Sequence, residues 1–177
     1  MQRVIDSRRL LADDAWLVHD AREPIPAGGD VLFPLAAWLD GSVAAARAAG
    51  RIGQDGLLLQ PDDELAALAP VLADVRLVAV HFPSATDGRG FSIASVLRRR
   101  LGWHGPLRAV GPLWRDQLYA LRRVGFDSFE LRASEDPQTA LAAFDTFSDA
   151  YQESTDGLTP LVLRKLALLS RSAELTP

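Results

Sequence analysis

The chain contains no cysteine among its 177 residues. That excludes disulfides, thiolate metal sites and cysteine redox chemistry within the chain itself, and it fits a reducing compartment. A basic excess is also missing. With a formal net charge of -4 the protein has nothing with which to neutralise a run of phosphates, so no nucleic-acid partner is expected, although a local basic pocket is compatible with that balance. No apolar stretch approaches ~18 uninterrupted residues, and the first eleven residues are polar and arginine-rich. Neither a signal peptide nor a membrane partner is therefore read, and a cytoplasmic protein is the expectation. Three histidines are present, with no H-x-x-H, H-E-x-x-H or carboxylate cluster, so no metal is assigned. Gly-Lys-Ser/Thr, G-x-G-x-x-G and G-x-S-x-G are all absent, which removes the nucleotide P-loop, the dinucleotide fingerprint and the nucleophile elbow. The cofactor, if any, is left unknown.

What is present is a globular composition, 48% apolar and 24% charged, in a length that suits a single α/β domain spanning residues 1–177. Residues 1–30 read as an N-terminal β segment and connector. Val4-Ile5 and Trp16-Leu17-Val18 are short apolar runs with Asp13-Asp14 as the turn between them, which suggests a small hairpin or an edge strand. Pro24, Pro26 and Gly28-Gly29 mark the connector.

A rhythm then sets in. Apolar runs at residues 30–35, 56–59, 75–82, 107–110 and 128–131 alternate with helical patterns at residues 40–49, 61–72, 91–101, 114–124 and from Asp136 onward. Gly125 suits a helix C′ position, and Asp136-Pro137 is an N-cap followed by proline at the first helical position. Ile93, Ala94, Leu97 and Leu101 share a face, which places Arg98 and Arg99 toward solvent. Trp114, Leu118, Leu121 and Val124 are expected to be buried, and the last helix carries Leu141, Phe144, Phe147 and Tyr151. Repeated βα units at ~25-residue spacing imply a mainly parallel sheet of about five strands, either an open Rossmann-like sheet or a partial barrel. A complete eight-fold barrel needs about 250 residues and does not fit. Residues 153–177 form a C-terminal helical tail rich in leucine, a docking or dimerisation element that leaves a homo-oligomer open.

Ligands of parallel sheets sit beyond the C-terminal ends of the strands, so the loops there are the places to look. The loop after the third strand ranks first. Asp87-Gly88-Arg89-Gly90 offers glycines that let a backbone approach a ligand, an arginine fork suited to an oxyanion, and a following helix start, with Ser92 as a hydroxyl. The structural alternative is an Asp87-capped turn with Arg89 paired to a neighbour. Arg108 in the fourth strand and Gln117 near the next helix start join this group, and His81, Arg115 and Arg132 are weaker candidates. No catalytic residue is identified.

Several blocks stand in a recognisable order: Thr86-Asp87-Gly88-Arg89-Gly90-Phe91-Ser92, Leu107-Arg108-Ala109-Val110-Gly111, Arg115-Asp116-Gln117 and Arg122-Arg123-Val124-Gly125-Phe126-Asp127. With Phe82-Pro83 and Leu97-Arg98 they resemble bacterial domain-of-unknown-function family 934. The resemblance is clearest over residues 75–152. Pro112, Trp114, Phe91 and Val124 stand where Asp, Leu, Tyr and Cys are common in that family, which removes the tyrosine hydroxyl and cysteine thiol as catalytic groups. Members are often labelled oxidoreductases of sulfite reduction, because their genes neighbour those of sulfate and sulfite assimilation. The resemblance thus implies an auxiliary protein of sulfur assimilation that binds a small anion (sulfite, sulfate or a sulfonucleotide). A non-catalytic docking partner of sulfite reductase or a related reductase, and an oxidoreductase with a dissociable cofactor, are the alternatives.

Overall fold

The computed structural model describes residues 3–146, 153–155 and 159–166. Its strands are β1 (Arg3–Asp6), β2 (Leu17–Val18), β3 (Val31–Pro34), β4 (Asp55–Leu59), β5 (Val78–His81), β6 (Leu107–Val110) and β7 (Ser128–Leu131). The helices are α1 (Leu35–Leu39), α2 (Ser42–Ala48), α3 (Ala69–Leu72), α4 (Arg89–Arg99), α5 (Leu118–Arg123) and α6 (Pro137–Ala142). All seven strands join one sheet in the order β1-β7-β6-β5-β4-β3-β2. From β2 to β7 each strand lies parallel to its successor, and β1 runs antiparallel along the outer edge of β7.

The expected parallel βα core is thus β3 to β7, but the sheet has seven strands rather than about five and is mixed. The two additions come from the N-terminal segment. Val4-Ile5 and Leu17-Val18 do not pair with each other as a hairpin; they sit at opposite edges, where a five-stranded parallel core would leave backbone groups unpaired. The strand order also decides between the two expected architectures. A Rossmann-like sheet reverses direction and is covered by helices on both faces. Here every step goes the same way, so right-handed crossovers place all the helices on one face and the sheet curls into a half-barrel.

Alternation along the strands fills the two faces differently. Leu57, Leu59, Val78, Val80, Leu107 and Phe129 point to the helix side and pack against Ile93, Leu97, Leu118, Leu121 and Phe144. Each such fully buried side chain contributes roughly 1.5–3 kcal/mol by removal from water. The other face is the inner one. Its register aligns Leu58, Ala79, Arg108 and Ser128 in a row across four strands.

Among the described residues no helix covers that row; the chain's own N-terminal segment does. Leu11 bonds back to Val4 beside β1, and the chain then crosses the inner face to reach β2 at the far edge. On the way Asp14 meets Arg108, and Trp16 packs on Leu32, Leu58 and Leu77. Gly56 makes room for it: a Cβ there would lie 2.8 Å from the Trp16 ring and 2.9 Å from the Leu77 carbonyl oxygen. Residues 7–16 are therefore a strap that fills the floor of the half-barrel.

Several helices are shorter than their sequence patterns. Residues 40–49 contain only α2, with α1 before it. The segment opened by Pro61 gives a single 3₁₀ turn, Leu65–Ala67, before α3. Proline at residue 70 has no N–H for a continuous ladder, so it sits in the first turn of a new helix. Arg98 does not face solvent. Its guanidinium bridges the carbonyls of Trp103, Gly105 and Gly125 and the Asp127 carboxylate, at 2.7–3.0 Å, and so ties α4 to the turns before β6 and β7. Trp114 is half exposed rather than buried, because it precedes the 3₁₀ turn Arg115–Gln117 instead of lying within a helix. Asp136 caps α6 as expected, accepting from the Thr139 N–H at 2.8 Å. Phe147, Tyr151 and the end of the tail lie outside the described residues. Residues 161–166 are helical, and Val162, Leu163 and Leu166 are exposed there.

Candidate functional site

Beyond the strap none of the described residues covers the inner face. A cleft of about 500 Å³ opens at the C-terminal ends of β4 to β7, with Val18 of β2 at its far side. Apolar Leu58 and Val110 form its base, and polar Gln60, His81, Glu130 and Arg132 ring it, with Gly111-Pro112 as the β6 loop. These polar residues share an origin in the pleat. His81 is paired with Val110, two residues above the pairing of Ala79 with Arg108 and so on the same face, and Glu130 occupies the corresponding height on β7.

His81 is held by Gln60. Its Nδ1 lies 2.8 Å from Gln60 Oε1, and the Gln60 N–H in turn donates to Asp63 at 2.7 Å. With the amide oxygen facing Nδ1, the imidazole proton sits on Nδ1 and donates, which leaves Nε2 as a lone-pair acceptor. Partial burial lowers the His81 pKa below its ordinary value, so the ring is neutral at physiological pH. Arg132, exposed at the end of β7, makes no ion pair among the described residues.

The loop ranked first by sequence has a different geometry. Arg89 lies between two carboxylates: it donates to both Asp87 oxygens at 2.7–3.2 Å and also to Asp62. Hydrogen bonding to Arg89 holds the Asp87 carboxyl below the usual carboxylate range, and Asp87 raises the Arg89 pKa. Asp87 also accepts from the Arg89 backbone N–H at 3.0 Å. Gly88 is the N-cap of α4 and Ser92 is exposed in its first turn. Gly90 is required by packing, since a Cβ there would lie 2.2 Å from the Phe82 ring. The same ring meets Phe91 edge-on, with centroids 5.8 Å apart.

Arg108 lies under the strap. Its fork takes both oxygens of Asp14, its Nε donates to Ser128 Oγ at 3.3 Å, and the paired side chains are only 6% and 7% exposed. Gln117 closes a local bracket: Oε1 accepts from the Trp114 N–H at 3.0 Å, and Nε2 donates to the Ala85 carbonyl at 2.7 Å. Arg115 is exposed beside Asp116. Of the ten residues singled out by sequence, the structure brings together His81 and Arg132 in the cleft. Asp87 to Ser92 form a separate turn, and Arg108 and Gln117 hold the strap and a loop.

Gln60 and Glu130 escaped the sequence reading. A signal for Gln60 was available: like His81 and Arg132, it is the first polar residue at the close of an apolar strand run. A polar group in that position of a parallel sheet faces the mouth whenever the register points inward.

These features define an α/β half-barrel protein, strapped across its inner face by its own N-terminal segment and open at its strand ends in a polar cleft. The chain belongs to the family described as bacterial protein of unknown function, DUF934, whose model matches residues 56–162. That span contains Gln60, His81, Glu130 and Arg132 and excludes the strap. No curated protein matches the chain. Among the described residues no helix is long and apolar enough to cross a membrane.

Proposed function

We propose that this protein is an auxiliary component of assimilatory sulfate and sulfite reduction that binds a small oxyanion (sulfite, sulfate or a sulfonucleotide) at the C-terminal ends of its parallel strands. The observation that carries the reading is the contrast among its arginines. Arg89 and Arg108 are already neutralised by Asp87, Asp62 and Asp14. Arg132 lines a cleft of about 500 Å³ and keeps its donors available among the described residues. An arginine fork with no ion pair among the described residues, beside a neutral imidazole, suits a planar or tetrahedral oxyanion. Calorimetry with sulfite, sulfate and adenylylated sulfate tests this. The expected result is binding that Arg132→Ala removes and Arg89→Ala leaves unchanged; no heat with any of the three rejects the reading.

A second reading rests on the tail, where Val162, Leu163 and Leu166 expose apolar surface on one short helix. It makes the protein a docking partner of sulfite reductase or a related reductase. Co-purification with the reductase that is lost on deleting residues 158–177 supports it, and an unchanged yield eliminates the tail as the contact.

A further inference from the structure

The Gln60–His81 pair adds a selection rule to the mouth, and the inference drawn from it rests on the anion-binding reading above. We propose that the cleft selects oxyanions that still carry a proton near neutral pH, such as hydrogen sulfite or hydrogen phosphate, over the fully ionised sulfate.

Donors and acceptors in the cleft must be matched by those of the ligand. A lone arginine offers only donors, and any oxyanion satisfies it. His81 offers the opposite group. Its Nδ1 is committed to Gln60 Oε1 at 2.8 Å, and the Gln60 backbone N–H donates to Asp63, which holds the chain from which that carboxamide projects. The nitrogen left for a ligand is therefore Nε2, an acceptor with no partner among the described residues. A protonated oxyanion places its O–H on Nε2 while its other oxygens meet Arg132. Sulfate has no proton to give, so its oxygen would face the Nε2 lone pair. Two acceptors brought together in a partly desolvated cleft each lose a hydrogen bond, and a mismatch of that kind is worth roughly tenfold or more in affinity.

The surrounding charges leave this rule intact. From β4 the ring faces Gln60 and, behind it, the Asp63 carboxylate; from β6 only Val110 and the uncharged Gly111-Pro112; from β7 Glu130 and Arg132; and from β2 the apolar Val18. Asp62, Asp87 and Arg89 in the neighbouring loops bind one another. Gln60 acts as a positioning residue: without it the imidazole proton is free to move to Nε2, and the acceptor becomes a donor.

The test compares inorganic phosphate, sulfite and sulfate by calorimetry at about pH 7 and again near pH 5, with the full chain and with His81→Phe and Gln60→Leu. The expected result at about pH 7 is phosphate and sulfite each binding roughly tenfold or more tighter than sulfate. As acidification protonates the ring and it comes to donate through both nitrogens, the preference should fall below about threefold. His81→Phe should abolish the preference. Gln60→Leu should shrink it while the tautomer seen by heteronuclear NMR shifts toward Nε2–H, a readout that a merely structural role would leave unmoved. Equal binding of all three anions at about pH 7, or a preference that survives His81→Phe in a folded variant, overturns the selection rule and leaves the anion site standing. Absence of binding by every anion overturns both.

Discussion

Removing the Asp14 carboxylate should cost this protein a large share of its stability. Asp14 and Arg108 lie 94 residues apart in the chain, and their pairing pins the strap to the middle of β6. Both side chains are more than nine-tenths buried, so salt does not screen them and water does not solvate the survivor. Asp14→Ala leaves a buried guanidinium with one long contact to Ser128 and no counter-charge. Breaking a buried pair from one side costs about 3–5 kcal/mol. Against a total of about 5–15 kcal/mol for an ordinary domain, that lowers the melting temperature by roughly 6–20 °C for a chain of this size. Arg108→Met together with Asp14→Leu should recover most of the loss, because apolar replacements carry no desolvation cost. Urea denaturation of the wild type, Asp14→Ala and the double variant is the assay. A cost below about 1 kcal/mol for Asp14→Ala, with no recovery in the double variant, would show that the strap is not held by this pair.

Other consequences are narrower. Gly90→Ala drives a methyl into the Phe82 ring and should destabilise by about 1–3 kcal/mol in urea, although Gly88 beside it tolerates alanine. Gln117→Ala frees the Ala85 carbonyl and the Trp114 N–H together, for a loss of about 1–2 kcal/mol that Gln117→Glu only partly restores, since the donor to Ala85 is gone. His81 takes its proton more readily when unfolded, so its contribution is full above its ordinary pKa of 6.5 and is lost as pH falls from that value through the lower folded one. Stability measured by thermal melts should therefore decline on acidification below about pH 6.5, and His81→Phe should flatten that part of the profile.

How much of this was readable in the residues depends on the range of the interaction concerned. The βα rhythm, the Asp136-Pro137 helix start and the Gly125 stop are local, and the structure realises each within a few residues. The strand order is not local. A right-handed βαβ unit looks the same whether the next strand is added to the left or the right, so periodicity left a Rossmann-like sheet and a partial barrel equally open. Val4-Ile5 and Leu17-Val18 read as a hairpin because they are neighbours in sequence, yet each satisfies a different sheet edge. Arg98 looked solvated because a helical wheel shows which face a residue is on but not that three turn carbonyls from outside the helix converge there.

The site shows the same division. Glycine and arginine in one loop are a visible pattern, and Asp87-Gly88-Arg89-Gly90 drew the first rank on that basis. Its chemistry depends on Asp62, 27 residues away, which takes the third side of the guanidinium. The cleft, by contrast, is assembled from scattered polar residues at three strand ends, none of them conspicuous in its own neighbourhood. Gln60 gains meaning only once β4 and β5 are known to be adjacent and in register. The strap is still less visible: nothing near Asp14 announces Arg108 as its partner.

The central claim is that ligand chemistry belongs to the strand-end cleft and not to the glycine-rich turn. Backbone amide NMR during a titration with sulfite measures this directly. The account predicts saturable shifts confined to Gln60, His81, Gly111 and Arg132 and their neighbours, with Gly88, Arg89 and Gly90 unmoved. Shifts centred on Arg89 and the start of α4, with the strand ends silent, would contradict it.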